Sequence, residues 1–115
     1  MTRTFIHTKE FTKNWEALGL SDDELRRLEY EIMKNPQVGP VVPGTGRLRK
    51  MRFAYANKGK RSSTRVCYVD FLVYETIYLI TTYAKNEKRN LSKAECSEIR
   101  KLIEHIENGL KEEHS

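Results

Sequence analysis

A chain of 115 residues, 32% charged and 38% apolar, carries a formal charge of +5 and an isoelectric point near 9.3. That length suffices to bury one core without disulfides or metal, and the apolar content is too high and too periodic for a disordered chain. No apolar run approaches the roughly 20 residues of a spanning helix, and MTRTFIHTKEF lacks the apolar centre of a signal peptide, so the expectation is one cytoplasmic domain over residues 1–115 with no membrane partner.

Arg3 to His7 alternates and is rich in Thr, Phe and Ile, which predicts a short first strand. Thr8 then caps a short helix in which Phe11, Trp15 and Leu18 share one face, and Gly19 ends it. Ser21 with Glu24 forms a capping box for a second helix, with Leu25, Leu28 and Ile32 inward and Asn35-Pro36 closing it. The helical spacing of Trp15 assigns it to the core rather than to base stacking. Residues 36–46 hold all three prolines and three of the six glycines, a constrained connection to a sheet. Its GTG is not followed by Gly-Lys-Ser/Thr, which excludes a phosphate loop.

From Arg47 the period becomes two. Met51, Phe53 and Tyr55 face a core while Leu48, Lys50, Arg52 and Ala54 point the other way, giving a strand with cations on an open face. Residues 57–63 read as a mobile basic hairpin tip, 64–72 as the returning strand and 76–83 as a central, nearly continuous apolar strand. Residues 84–90 form a polar loop. Ser92 and Glu95 open the last helix, whose apolar stripe runs from Cys96 through Ile103 to Leu110, with Gly109 near its end. Cys67 and Cys96 lack metal-type spacing and are read as reduced thiols. The order is β, α, α, three antiparallel strands, α, an α+β fold.

Charge is the functional signal. No Asp or Glu lies between Glu31 and Asp70, a span with nine cations; set against the chain total of +5, this leaves the remainder at −4. A local cation field of this kind suits a polyanion. Lys13, Arg26, Arg27, Lys101 and Lys111 are read as solvated helix faces. Lys50, Arg52 and Arg65 are different in kind, because they lie on neighbouring stiff strands and can converge on one phosphate. If the polyanion is RNA, the ribose 2′-OH can attack the adjacent phosphorus and expel the 5′-oxygen. This needs a proton acceptor, cations for the developing charge and help for the leaving group. His7, His105 and His114 lie at the chain ends, outside the basic region. Lysine can take the proton role when neighbouring cations depress its pKa, which makes Lys50 and Lys85 candidates, while Arg52 and Arg65 are phosphate clamps. Tyr68 and Tyr78 are expected in the core; Tyr83, with the strand parity of Lys85, is a site candidate. Arg47, Arg49, Lys58, Lys60, Arg61 and Lys88 are assigned to RNA binding by charge. No cofactor or metal is expected, since carboxylates avoid the basic region.

The run GTGRLRKMRFA, the hairpin GKRSSTRVCYVDF, the segment IYLITTYAKNEKRNLS and the closing helix together resemble the RelE/ParE superfamily of type II toxins, most closely its HigB branch. The resemblance spans nearly the whole chain. It implies a helical hairpin packed on a twisted, mainly antiparallel sheet with a C-terminal helix. It also implies a ribosome-dependent mRNA endonuclease that cuts in the A site and is restrained by a cognate antitoxin, for this branch a helix-turn-helix, HigA-like protein. The free toxin is expected to be a monomer. By motif, the alternating basic pair is Lys50 and Arg52, the following Arg is Arg65, and Lys85 ends the last strand. Two positions depart from RelE-like members: Asn86 stands where they carry an Arg, and Ser92 lies near their Tyr. Leaving-group protonation then falls to Lys85 or Tyr83. The alternatives are a ParE-like, non-enzymatic gyrase inhibitor and an inactive nucleic-acid-binding module.

Overall fold

The structure, a computed structural model, describes residues 2–85 and 90–115. In chain order the elements are β1 (Thr4–His7), α1 (Lys9–Ala17), α2 (Asp22–Lys34), β2 (Arg49–Asn57), β3 (Lys60–Phe71), β4 (Thr76–Ala84) and α3 (Lys93–Glu113), with a 3-10 turn at Leu72–Tyr74. The sheet order is β1-β4-β3-β2, with β1 parallel to β4 and the other neighbours antiparallel. This is the expected α+β arrangement, and β4 is an inner strand, as its apolar run predicts.

Local chemistry explains where the helices start. Thr8 Oγ1 accepts from the Phe11 amide at 3.0 Å and donates to the Ile80 carbonyl at 2.6 Å, so one hydroxyl caps α1 and fastens it to β4. Gly19, at φ +77°, makes the left-handed turn that reverses the chain into α2. Ser21 Oγ accepts from the Glu24 amide at 3.2 Å, but the Glu24 carboxylate turns to Arg27 at 2.7 Å, so this cap is half of the expected box. At α3 the box is complete, with Ser92 and Glu95 bonding reciprocally at 3.1 and 2.9 Å.

The sheet separates two apolar clusters. On one side Phe11, Trp15, Leu28 and Ile32 of the helical hairpin pack on Met51, Phe53, Tyr55, Val66, Tyr68, Ile77 and Leu79. Trp15 is 4% exposed and donates to the Ser21 carbonyl at 3.2 Å, the core role its spacing predicts. On the other side Ile103 and Leu110 of α3 pack on Leu48, Cys67, Val69, Phe71, Ile80 and Tyr83. The cation-bearing face is therefore half covered by α3 rather than open. Each interior follows from the period-2 alternation of β2 and β3, since a one-residue slip would exchange the two faces.

The outer edge of β2 is closed in two ways. The Lys50 amide donates to Pro40 O at 3.1 Å, Val42 N to Leu48 O at 2.7 Å, and Val41 bridges to Arg49. Gly39 permits this approach: a Cβ there would lie 2.7 Å from the Lys50 carbonyl oxygen. Farther along, Arg27 of α2 stacks over the Phe53 ring at 4.2 Å and donates to the Ala54 carbonyl. Arg27 is thus a structural clasp as well as a solvated helix residue.

Arg3 and Asp70 join the opposite edge, with Nε to Oδ1 at 2.9 Å and Nη2 to Oδ2 at 3.3 Å. Their side chains are 2% and 14% exposed, and the carboxylate pushes the Arg3 pKa up despite burial. Breaking such a pair strands a charge in the interior. Asp70→Asn should lower unfolding free energy by about 3 kcal/mol. Urea denaturation tests this, and a loss under about 1 kcal/mol would show that solvent reaches the pair.

Candidate functional site

The strand register gathers four of the sequence candidates on the side facing α3. Arg52 lies directly opposite Arg65 across β2 and β3, Arg65 lies opposite Tyr83 across β3 and β4, and Lys50 lies opposite Cys67. Opposed side chains in an antiparallel pair have Cβ atoms about 4.5–5.5 Å apart, so two arginines at this position repel. Among the described residues neither Arg52 nor Arg65 forms an ion pair. Arg65 Nη1 is buried and has no hydrogen-bond partner among them. An anion placed between the two guanidinium groups would relieve the repulsion.

A bulge places Tyr83. Cys67 pairs with Thr81 and Tyr68 with Leu79, leaving Ile80 as an extra residue in β4. Before the bulge, Ile77 and Leu79 face the helical hairpin; after it, Tyr83 faces α3. Without the inserted residue Tyr83 would share the side of Leu79 and lie away from Arg65. Tyr83 is 8% exposed, and its pKa is pushed up to about 12. Burial is the main cause, with Cys67 and Glu95 adding to it and the Arg65 charge opposing it. The phenol therefore stays protonated at neutral pH and can serve as a donor, not as a base.

Lys50 Nζ reaches Asn90 Oδ1 at 3.4 Å, a contact that the sequence pattern did not signal. Lys85 is exposed in the turn after β4, outside the row of paired strand residues. Lys58, Lys60 and Arg61 lie at the end of a β2–β3 ribbon. The ribbon pairs out to Asn57 and Lys60, whereas β4 pairs only as far as Thr64. The expected tip over residues 57–63 is thus reduced to Lys58 and Gly59, both at positive φ, the geometry of a two-residue hairpin turn.

The other expected RNA contacts are placed differently. Arg47 pairs with Glu107 of α3 at 2.7 Å and stacks over Phe71 at 4.9 Å. Arg49 donates to Gly39 O at 2.8 Å, holding the loop before β2. Lys88 lies outside the described residues, as does Asn86. Tyr68 is fully buried and donates to Pro36 O at 2.8 Å, in the core as expected; Tyr78 packs edge-on against Phe71. Two clefts flank the Arg52–Arg65–Tyr83 row. One, of about 540 Å³, lies between α1 and α3 with Tyr83, Glu10, Glu95 and Glu98 in its walls. The other, of about 360 Å³, lies between residues 40–43, Lys50 and the start of α3. No helix among the described residues is long and apolar enough to cross a membrane.

Over residues 2–114 the sequence matches the family described as the RelE toxin of the RelE / RelB toxin-antitoxin system. Among solved structures the chain is similar to the E. coli toxin RelE, determined as a double arginine-to-alanine mutant in the free state. The TM-score is 0.55 at 14% identity, covering 77% of this chain and 90% of that one, a likeness of fold.

The Tyr83 environment gives a pH signature. The unfolded chain releases this proton near the ordinary tyrosine value of about 10, the folded chain only near about 12. Stability from this group is therefore full below pH 10 and is lost as pH rises towards 12, by about 2–3 kcal/mol in all. Burial raises Tyr68 and Tyr78 as well, so their share is common to both proteins when wild type is compared with Tyr83→Phe. Urea denaturation from about pH 9 to about pH 11.5 should show wild type falling more steeply. Parallel curves would contradict the assignment.

Proposed function

The chain belongs to the RelE toxin family, and from that premise we propose that it cleaves messenger RNA in the ribosomal A site, as the catalytic member of a toxin-antitoxin pair. The single observation carrying this proposal is the opposed Arg52–Arg65 pair, with no acid paired to either guanidinium among the described residues. In the reaction the 2′-oxygen loses its proton and bonds to phosphorus as the bond to the 5′-oxygen breaks, leaving a 2′,3′-cyclic phosphate and a 5′-hydroxyl. Arg52 and Arg65 hold the phosphoryl oxygens on which charge accumulates. Lys50, on their face of β2, is the group proposed to take the 2′-OH proton. Tyr83, held protonated beside Arg65, is proposed to give a proton to the leaving 5′-oxygen, with Lys85 as the exposed alternative. No step calls on a metal ion.

Lys58, Lys60 and Arg61 extend the same positive field along the ribbon and would grip RNA backbone beyond the reacting phosphate. The assignment to the HigB branch rests on the resemblance of the segments, and with it comes the proposal of a HigA-like, helix-turn-helix antitoxin. An acidic antitoxin segment over the basic face, or docking on the helices, would restrain the toxin.

Removing one preorganised charge stabiliser costs about 10²–10³ in rate. Arg65→Ala should reduce cleavage of a translated message by at least about 100-fold and abolish growth arrest, while unfolding free energy changes by under about 1 kcal/mol. Wild-type-like toxicity from a well-expressed Arg65→Ala would remove this residue from the site. Growth arrest with intact messages would favour a gyrase target.

A further inference from the structure

We propose that Ser63 is a phosphorylation site, and that a phosphoryl group on its oxygen fills the anion site between Arg52 and Arg65 and stops RNA cleavage. The proposal rests on the RNA-cleavage function above and concerns the regulation of that site.

Strand alternation sorts three neighbouring hydroxyls. Ser62 Oγ donates to Tyr55 Oη at 3.4 Å on the side of the helical hairpin, and Thr64 is fully buried on that side, 2.8 Å from the Thr82 hydroxyl. Ser63 therefore faces the other way, in line with Arg61 and Arg65 on β3. Across the ribbon Ser63 lies opposite Ala54 and Arg61 opposite Ala56, so only methyl groups stand on β2 at these levels. Arg52 is the diagonal neighbour of Ser63, with Cβ atoms about 7–8 Å apart, and Arg65 lies about 7 Å along the same strand.

Charge decides what the site does with a phosphate. A phosphoserine carries a charge of about −1.5 to −2 and three strong acceptor oxygens, and here it lies within reach of three long guanidinium side chains. Among the described residues none of Arg52, Arg61 and Arg65 is in an ion pair, and the sequence holds no Asp or Glu between Glu31 and Asp70. The modification is thus held where the reacting RNA phosphate is proposed to sit, and the two anions exclude each other. The unmodified hydroxyl carries no charge and leaves the site open.

The segment is also presented for modification. Ser63 is half-buried, and β4 pairs with β3 only from Thr64 onward. At residues 60–63, β3 therefore has β2 on one side and, among the described residues, no strand on the other. An extended edge of this kind can enter a strand-binding groove, and Lys60 and Arg61, just before the serines, suit one with acidic walls. In the reaction a protein kinase takes the Ser63 hydroxyl proton as Oγ bonds to the γ-phosphorus of a nucleoside triphosphate. The bond from that phosphorus to the β,γ-bridging oxygen breaks, and the nucleoside diphosphate leaves.

Phosphoserine inserted during translation at residue 63 or at residue 62 gives two proteins that differ in which side of the ribbon carries the phosphate. Phosphorus NMR should place the second ionisation near about 5 at residue 63, against about 6 at residue 62. Arg52→Ala should raise the value at residue 63 towards about 6. Cleavage of a translated message should fall by about 100-fold with the phosphate at residue 63 and be kept with it at residue 62. Phosphopeptide mapping of the toxin–antitoxin complex from growing and starved host cells should find the phosphate on Ser63. Equal ionisation at the two positions, an ionisation unmoved by Arg52→Ala, undiminished cleavage with the phosphate at residue 63, equal loss from both positions, or no phosphate on Ser63 in either culture would each overturn the proposal. The ionisation is read without RNA. If it is equal at the two positions while the unmodified protein cuts, the proposal fails and the function stands; if the unmodified protein cuts no message, the function fails and the ionisation still judges the phosphate site.

Discussion

Two guanidinium groups face each other across β2 and β3, and like charges at opposed positions of a sheet repel. The surrounding structure keeps them there. Met51, Phe53 and Tyr55 are committed to the interior under the helical hairpin, while Leu48 of the same chain segment enters the cluster under α3. With both sides of the sheet buried, a slip of either strand would expose one core and bury the cations. The Lys58–Gly59 turn closes the ribbon in the same register, and the loop before β2 bonds to the strand where Lys50 begins the cationic face. The repulsion is thus offset by packing on both faces, and it persists as a demand for an anion.

The arginines divide by how their charge is met. Arg3 is answered by Asp70, Arg27 by Glu24 and Glu31, and Arg47 by Glu107; Arg49 is spent on a backbone carbonyl. These interactions shape the protein. Among the described residues Arg52 and Arg65 have no such acid, and one buried nitrogen of Arg65 has no hydrogen-bond partner there either. A cation field alone would fit any polyanion. A row that combines two clamping cations with a phenol held in its protonated form is suited to a single phosphate whose ester bond is breaking.

The helices were legible because their ends are marked by side-chain chemistry. Thr8, Ser21 and Ser92 cap as their positions predict, and the alternation of β2 sorts Phe53 from Arg52 correctly. The bulge at Ile80 was not legible, since no Gly or charge marks it in ITTY, yet it decides which side Tyr83 faces. The length of the ribbon was also hidden. Lysine and serine have low strand propensity, but cross-strand pairing from Ala54–Ser63 to Asn57–Lys60 outweighs it. Charge could not separate Arg47 and Arg49 from Arg52, because their partners, Glu107 and Gly39 O, lie 60 and 10 positions away and meet them only in the fold. Asn90 was silent for the same reason, its contact with Lys50 spanning 40 positions.

The most direct test of the central claim is primer extension on one message, made with an intact or a disabled start codon, in cells expressing the wild type or the Lys50/Arg52/Arg65 triple-alanine variant. The structure and the family together predict cuts in phase with codons, present only on the translated message and absent with the variant. Cuts on the untranslated message would remove the ribosome from the mechanism. Growth arrest without cuts would remove RNA cleavage altogether.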